Sequence, residues 1–316
     1  MEKFKIIDGH CDTLTNLLDK SSTIGDSLNH INIDKLVKGG INIQFFAAWI
    51  GPKWKYGSPF QRGIKLIDRY NTMVEENSKT IIPILHWMDI EGLKDNRIGA
   101  LLTVEGGDIL EGELANLRIL HRLGVRLMTL TWNNRNEICD GIMETNSQSG
   151  LSNFGLSVVR EMNRLNMIID VSHLSVQGFW DVIKYSRDPI IASHSNAKAL
   201  CSHPRNLEDE QILAISKING LIGINFYPPF LSQGTSGIDD IIRHIEYIAG
   251  LGGVDIIGFG SDFDGIDQLP KNIDGPQDFP EIIDKLLQLN YLEKDVKKIC
   301  SENYLRVIKT VFQSKI

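Results

Sequence analysis

The sequence predicts an α/β fold, a (β/α)8 barrel of the TIM type. Eight short apolar runs, each the length of one strand, alternate with longer amphipathic stretches. Five of those runs end at or beside a His, Asp or Glu. Parallel strands in a closed barrel bring their C-terminal ends to one face, so these ends mark where the chemistry should lie.

The strand-like runs are 5–10, 41–48, 100–105, 126–131, 167–172, 190–193, 221–226 and 256–261. They are rich in Ile, Val, Leu and Phe with little polar alternation, as expected of parallel strands buried on both faces. Between them, 61–78, 111–123, 153–165, 175–186, 207–218, 237–250, 279–289 and 294–313 repeat apolar residues at spacings of three and four, the period of one helical face. Ser152 or Asn153 is placed to cap one helix, and Asn206 precedes acids suited to the first turn of another. Gly124 and Gly220 follow helical runs where a C-terminal cap is expected. Residues 11–40 and 49–60 read as irregular. The second segment, with Trp49, Trp54 and Tyr56, suits either a packed loop or a lid over the barrel mouth. No repeat or linker divides the chain, so residues 1–316 are expected to form a single domain.

The chain is 42% hydrophobic and 23% charged, and at 316 residues it can bury a large core without disulfides. A net charge of -7 without any Lys/Arg block argues against nucleic acid and against an anionic membrane surface. No apolar run reaches the roughly 18 residues of a membrane span. The first residues carry no secretory apolar region, and the last carry no lipid-anchor tail. Cys11, Cys139, Cys201 and Cys300 are widely spaced, which predicts reduced thiols and a cytoplasmic setting.

His10 and Asp12 stand two apart at the end of the first run, where both would face one side and share one ion. Cys11 between them would face away. Glu105 ends the third run; its two oxygens can bridge cations roughly 3.5–4 Å apart, and Gly106-Gly107 would let backbone pass close by. His173 and His194 lie one strand–helix–strand repeat apart and suit a second ion. Asp262, in Gly260-Ser261-Asp262-Phe263-Asp264-Gly265, can take a proton from an activated water; Asp264 competes for that role, and the expected strand end favours Asp262. Arg205, in the loop after the sixth run, can grip a carboxylate bidentately. His30, His86, His121, His203 and His244 lack such placement. Three His and three carboxylates suit two divalent cations, which points to a metal-dependent hydrolase.

These segments, in this order, resemble the renal (membrane) dipeptidase family, zinc peptidases of the amidohydrolase superfamily. The match runs through Asp8-Gly9-His10-Cys11-Asp12, Val104-Glu105-Gly106-Gly107, Val171-Ser172-His173, Ser193-His194-Ser195, Arg205-Asn206, Asn225-Phe226-Tyr227 and Gly258 to Gly265, and closes on Glu302-Asn303-Tyr304-Leu305-Arg306-Val307. The resemblance implies two zinc ions per chain: His10 and Asp12 on one, His173 and His194 on the other, Glu105 between them. It implies a metal-bridging hydroxide attacking the peptide carbonyl of a dipeptide, Asp262 as acid/base, and Arg205 on the substrate's C-terminal carboxylate. It further implies tolerance of a C-terminal D residue and pairing into a homodimer.

One position departs from the family. Its better-known members carry Leu-Thr-His after the fourth strand, with the His at the developing oxyanion; this chain has Leu130-Thr131-Trp132-Asn133-Asn134-Arg135. Trp132 can donate through its indole N–H, and Asn133, Asn134 or Arg135 can supply a donor. Trp132 and Asn133 are therefore expected at the substrate. The change also leaves room for ester, lactone or acyl-amino-acid hydrolysis, and a ligand-binding barrel without catalysis is the reading from another class.

Overall fold

The computed structural model describes residues 4–26, 28–147 and 149–315; Met1 to Lys3 and Ile316, which the terminal readings above include, lie outside the described residues. Among the described residues nine strands, all paired in parallel, carry the fold: β1 Ile6–Asp8, β2 Ile41–Trp49, β3 Ile81–Pro83, β4 Ile98–Glu105, β5 Leu127–Thr129, β6 Ile168–Asp170, β7 Ile191–Ala192, β8 Leu221–Ile224 and β9 Ile257–Phe259. Eight of them close a ring through β1, β2, β4, β5, β6, β7, β8 and β9, and β2 pairs with β4 to complete it. Each predicted run overlaps one of these eight; β2 runs one residue past its predicted end, to Trp49, and β4 starts two residues earlier than predicted, at Ile98. The ninth, β3, lies against Ile98 to Ala100 at the start of β4, below the stretch where β5 takes over the same edge. In the sequence Pro83 interrupts the apolar run 81–85, and a proline argues against a strand inside a sheet.

Alternation along the strands divides the core in two. Ile7, Phe45, Leu101, Leu127, Ile168 and Leu221 fill the barrel interior, while Phe46, Leu102, Val104, Met128 and Ile169 face the surrounding helices. Helix Asn303–Phe312 closes the N-terminal end of the barrel with Tyr304, Val307, Ile308 and Val311. Tyr304 is buried, donates to the Phe259 carbonyl at 2.9 Å and meets Phe45 edge-on. A Cβ at Gly9 or Gly258 would come within 1.8 or 2.5 Å of its side chain, so both positions must be glycine for the ring to fit.

Several local expectations change. Ser152 caps helix Asn153–Arg164 by accepting from Gly155 N–H. Asn206 is no cap: helix Asp209–Lys217 is capped by Glu208, whose N–H donates to the Gln211 side chain, and the Asn206 amide instead ties the Cys201 and Phe230 carbonyls. Gly124 has the expected left-handed φ of 105°, but ahead of β8 Asn219 takes it, at 54°. Gly220 is needed for a close approach, since a Cβ there would lie 2.6 Å from the Ile190 carbonyl. The segment 11–40 holds two seven-residue helices, Thr13–Asp19 and Ile33–Gly39, too short to show a period. The run 294–313 forms a short helix, a π-turn over Lys298–Glu302 and a final helix. Among the described residues no helix is long and apolar enough to cross a membrane.

Removing the ring that fills the barrel floor should be costly. Tyr304→Ala is expected to destabilise the chain by about 3–5 kcal/mol, as for other buried aromatics. A denaturation midpoint within the range of surface substitutions would contradict this packing.

Candidate metal centre

The predicted ligand residues come from four different strand ends. His10 and Asp12 follow β1, Glu105 is the last residue of β4, and His173 and His194 follow β6 and β7. Asp262 lies just past β9 rather than on it. His173 and Asp262 adopt φ of 67° and 65°, a left-handed backbone that non-glycine residues take at a cost, commonly at functional sites.

Glu105 sits at the middle. Its Oε2 is 3.6 Å from His10 Nε2, while its Oε1 is 2.9 Å from His173 Nε2 and 3.6 Å from His194 Nε2. His10 Nε2 is 3.4 Å from Asp12 Oδ2 and 4.0 Å from Asp262 Oδ1. In two overlapping groups, His10/Glu105/His194 and His10/Asp12/Asp262, the ligand atoms lie within 4.8 Å of one another. Cys11 turns away, with its Sγ on the Phe45 carbonyl.

This cluster fits a divalent cation. His10 Nε2 and Asp12 Oδ1 are buried with no hydrogen-bond partner, which otherwise costs about 1–3 kcal/mol for each such atom. A donor set of imidazole nitrogens and carboxylate oxygens is one that zinc accepts. The side chains alone set opposing pressures. Burial pushes Asp262 up to about 7 against the pull of His10. Burial and the nearby Glu105 raise Asp12 to about 6. Burial also works against Glu105 ionising, but His10 and His173 outweigh it and hold Glu105 below the ordinary carboxylate range. Burial and Arg205 lower His173 to about 4, and burial with His10 takes His194 well below its usual value.

Arg205 is buried beside the cluster. Its Nη2 donates to the His194 carbonyl at 3.2 Å, its guanidinium stacks over Phe230, and its Nε has no partner. It makes no ion pair among the described residues, although burial lowers it to about 10 and the field of Asp262 opposes that. An anionic group entering here would meet an unsatisfied donor.

Asp264 is occupied elsewhere: it accepts from the Thr13 hydroxyl and the His30 N–H, both at 2.7 Å. Only Asp262 of the pair faces the cluster. Trp132 lies between Trp49 and His173, with ring centroids 5.5 and 6.0 Å away. Asn133 Oδ1 is 2.8 Å from His173 Nδ1, so it orients a candidate ligand. Asn134 lines a small cavity of about 20 Å³ with Lys55, Glu105, Asp108 and Trp132. Arg135 turns outward to Asp140. The loop after β2 reaches across the mouth, where Lys55 Nζ donates to the Arg135 carbonyl. Asn225, which the sequence alone leaves without a role, donates through its amide to Asp262 Oδ2 at 2.9 Å. Its signal is an asparagine directly after the apolar run of β8.

The model of the membrane dipeptidase family, peptidase family M19, matches residues 1–315. A Klebsiella pneumoniae protein described as the uncharacterized protein in the pqqA 5' region is 34% identical over 236 residues, which cover 71% of this chain and 87% of that protein. Among solved structures, the dipeptidase AC, a metallopeptidase of family M19, is 26% identical with a TM-score of 0.92 and covers 98% of this chain and 99% of its own. A metallopeptidase from Rhodobacter sphaeroides, liganded with a phosphinate mimic of the dipeptide L-Ala-D-Ala, is 25% identical with a TM-score of 0.90 over the same shares. An amidohydrolase from Pseudomonas aeruginosa is 27% identical with a TM-score of 0.85, covering 98% of this chain and 97% of its own.

The raised Asp262 carboxyl carries a stability consequence. An unfolded Asp titrates near roughly 3.9, so the folded chain favours the protonated form between about there and 7. The stability this group gives is complete below the unfolded value and is lost as pH rises through the folded one. In the presence of a chelator, Asp262→Asn should therefore melt above the parent at pH 8, with the difference shrinking toward pH 4. Parallel melting curves across that range would contradict the raised value.

Proposed function

This chain belongs to the membrane dipeptidase family and is a metallo-dipeptidase, and we propose that it uses two zinc ions to hydrolyse dipeptides, including those with a C-terminal D residue. The observation that carries this reading is the placement of Glu105, with one oxygen toward His10 and the other toward His173 and His194. A carboxylate so placed suits a bridge between two cations.

His10 and Asp12 would hold one ion, His173 and His194 the other, and Glu105 both. When bound, such ions polarise a carbonyl oxygen and lower the pKa of water to near neutrality. The remaining work falls to this chain's own side chains. Arg205, with a partnerless Nε, would bind the substrate's C-terminal carboxylate and so set the register of the peptide bond. Asn225 holds Asp262 Oδ2. That would leave Oδ1 to take the proton of the attacking water and pass it to the leaving amine. Asn133 would keep the His173 ring in place, and Trp132 would wall the substrate pocket. The phosphinate held by the Rhodobacter sphaeroides relative mimics a dipeptide ending in D-Ala, which supports acceptance of that configuration here. Four buried, unpaired cysteines support a reducing, cytoplasmic setting.

Amino-acid release from a panel of L-L and L-D dipeptides, with added zinc and with a chelator, tests the reading; no zinc-dependent release from any member would sink it. Asp262→Asn is expected to lower kcat by about 10²–10⁴ while two zinc ions stay bound. Arg205→Lys should mainly raise KM for dipeptides. An equal effect on C-terminally amidated analogues would remove Arg205 from carboxylate binding.

A further inference from the structure

Two aspartates are buried at barrel strand ends, and the reaction above uses neither. Asp8 ends β1 and Asp170 ends β6. Each is held by a serine from a neighbouring strand end. Asp8 accepts from the Ser261 N–H and hydroxyl at 2.8 and 2.6 Å, and from the Gln44 amide at 3.0 Å. Asp170 accepts from the Ser193 N–H and hydroxyl at 2.9 and 2.6 Å, from the Ser172 N–H at 3.0 Å and from the Thr129 hydroxyl at 2.5 Å. The two differ in what lies beyond the serine. Ser261 Oγ reaches no ring, whereas Ser193 Oγ is 2.7 Å from His194 Nδ1.

We propose that Asp170, acting through Ser193, fixes the tautomer in which His194 presents its Nε2 lone pair to the cation site. Four donors converge on Asp170, so it accepts as a carboxylate and the Ser193 proton is committed to it. The Ser193 oxygen then has only a lone pair for the imidazole, and Nδ1 must be the donor. Nε2 is left unprotonated, 3.6 Å from Glu105 Oε1. Histidines that bind metals commonly donate their other N–H to a carboxylate or carbonyl; here a hydroxyl stands between. His173 reaches the same state by another route, because the Asn133 amide oxygen can only accept. Two lone pairs then lie 2.9 Å apart, which repel unless a cation joins them. Asp170 and Ser193 are positioning residues, and their role rests on His194 being a ligand as proposed above.

Zinc affinity of the full-length chain, measured by competition with a chelator, tests this, with melting temperature as a control for general damage. Ser193→Ala is expected to weaken one of the two zinc ions about 10–100-fold. Asp170→Asn should weaken it at least as much: the Asn oxygen would stay on the backbone N–H groups, its NH2 would face Ser193, and the hydroxyl would turn its proton toward Nδ1. The double variant Asp170→Asn/Ser193→Ala should bind zinc no more weakly than Asp170→Asn alone, because the reversed proton is gone; independent structural roles would add their losses. Ser261→Ala, the matching pair without a ring, should lower the melting temperature and keep zinc tight. Additive losses, or a Ser193→Ala zinc affinity no lower than that of Ser261→Ala, would overturn the proposal. Should Asp170→Asn fail to fold, the comparison of the two serines still decides. His194→Gln separates the levels: if both ions stay tight, His194 is not a ligand and the ligand set proposed above falls; if one is lost while Ser193→Ala binds normally, only the tautomer proposal falls.

Discussion

The pairing of β2 with β4 closes the sheet, and the rest of the molecule depends on it. Its register runs without interruption from Ile43 opposite Gly99 to Trp49 opposite Glu105. A strand shifted by one residue would turn every side chain to the other face. Held in register, β4 delivers Glu105 to the centre of the ring of strand ends, and β1, β6 and β7 set their histidines around it. Because β4 is buried along its whole length, solvent offers it no competing arrangement.

What the barrel gathers is electrostatically unfavourable by itself. Three imidazoles and three carboxylates share a space from which water is largely excluded, and two of their polar atoms find no partner. The apolar shell meets this with rigidity: the ends of the strands are tied by Asp8 and Asp170, which bond backbone N–H groups of neighbouring segments. The packing layer below and the hydrogen-bonded layer around the centre hold together a group of side chains that would otherwise move apart. The strained φ values at His173 and Asp262 are borne by the same scaffold.

Most of this arrangement is legible in the sequence because a barrel repeats one rule. A buried parallel strand reads as an apolar run, and the residue that ends it reads as a site. His10, Glu105, His173 and His194 follow directly. The rule gives no information on how side chains share one another. Nothing in Asn133-Asn134-Arg135 says that the first turns to His173, the second to the cavity and the third to Asp140. Nor does Asp262-Phe263-Asp264 say which acid is taken by Thr13 and His30; that depends on residues over 230 positions away in sequence. Short elements escape for a different reason. β3 is hidden by Pro83 in its apolar run, and the two seven-residue helices contain less than the two or three periods that a helical pattern needs.

The barrel floor comes after all nine strands in chain order. Tyr304, Val307, Ile308 and Val311 fill the interior from a helix that leaves the ribosome after every strand has been made. Until it arrives, Gly9 and Gly258 border an open interior and the Phe259 carbonyl lacks the Tyr304 hydroxyl. A nascent chain holding all the ligand residues still lacks the support beneath them. In chain order, then, the support beneath the centre is made after every strand that carries a ligand.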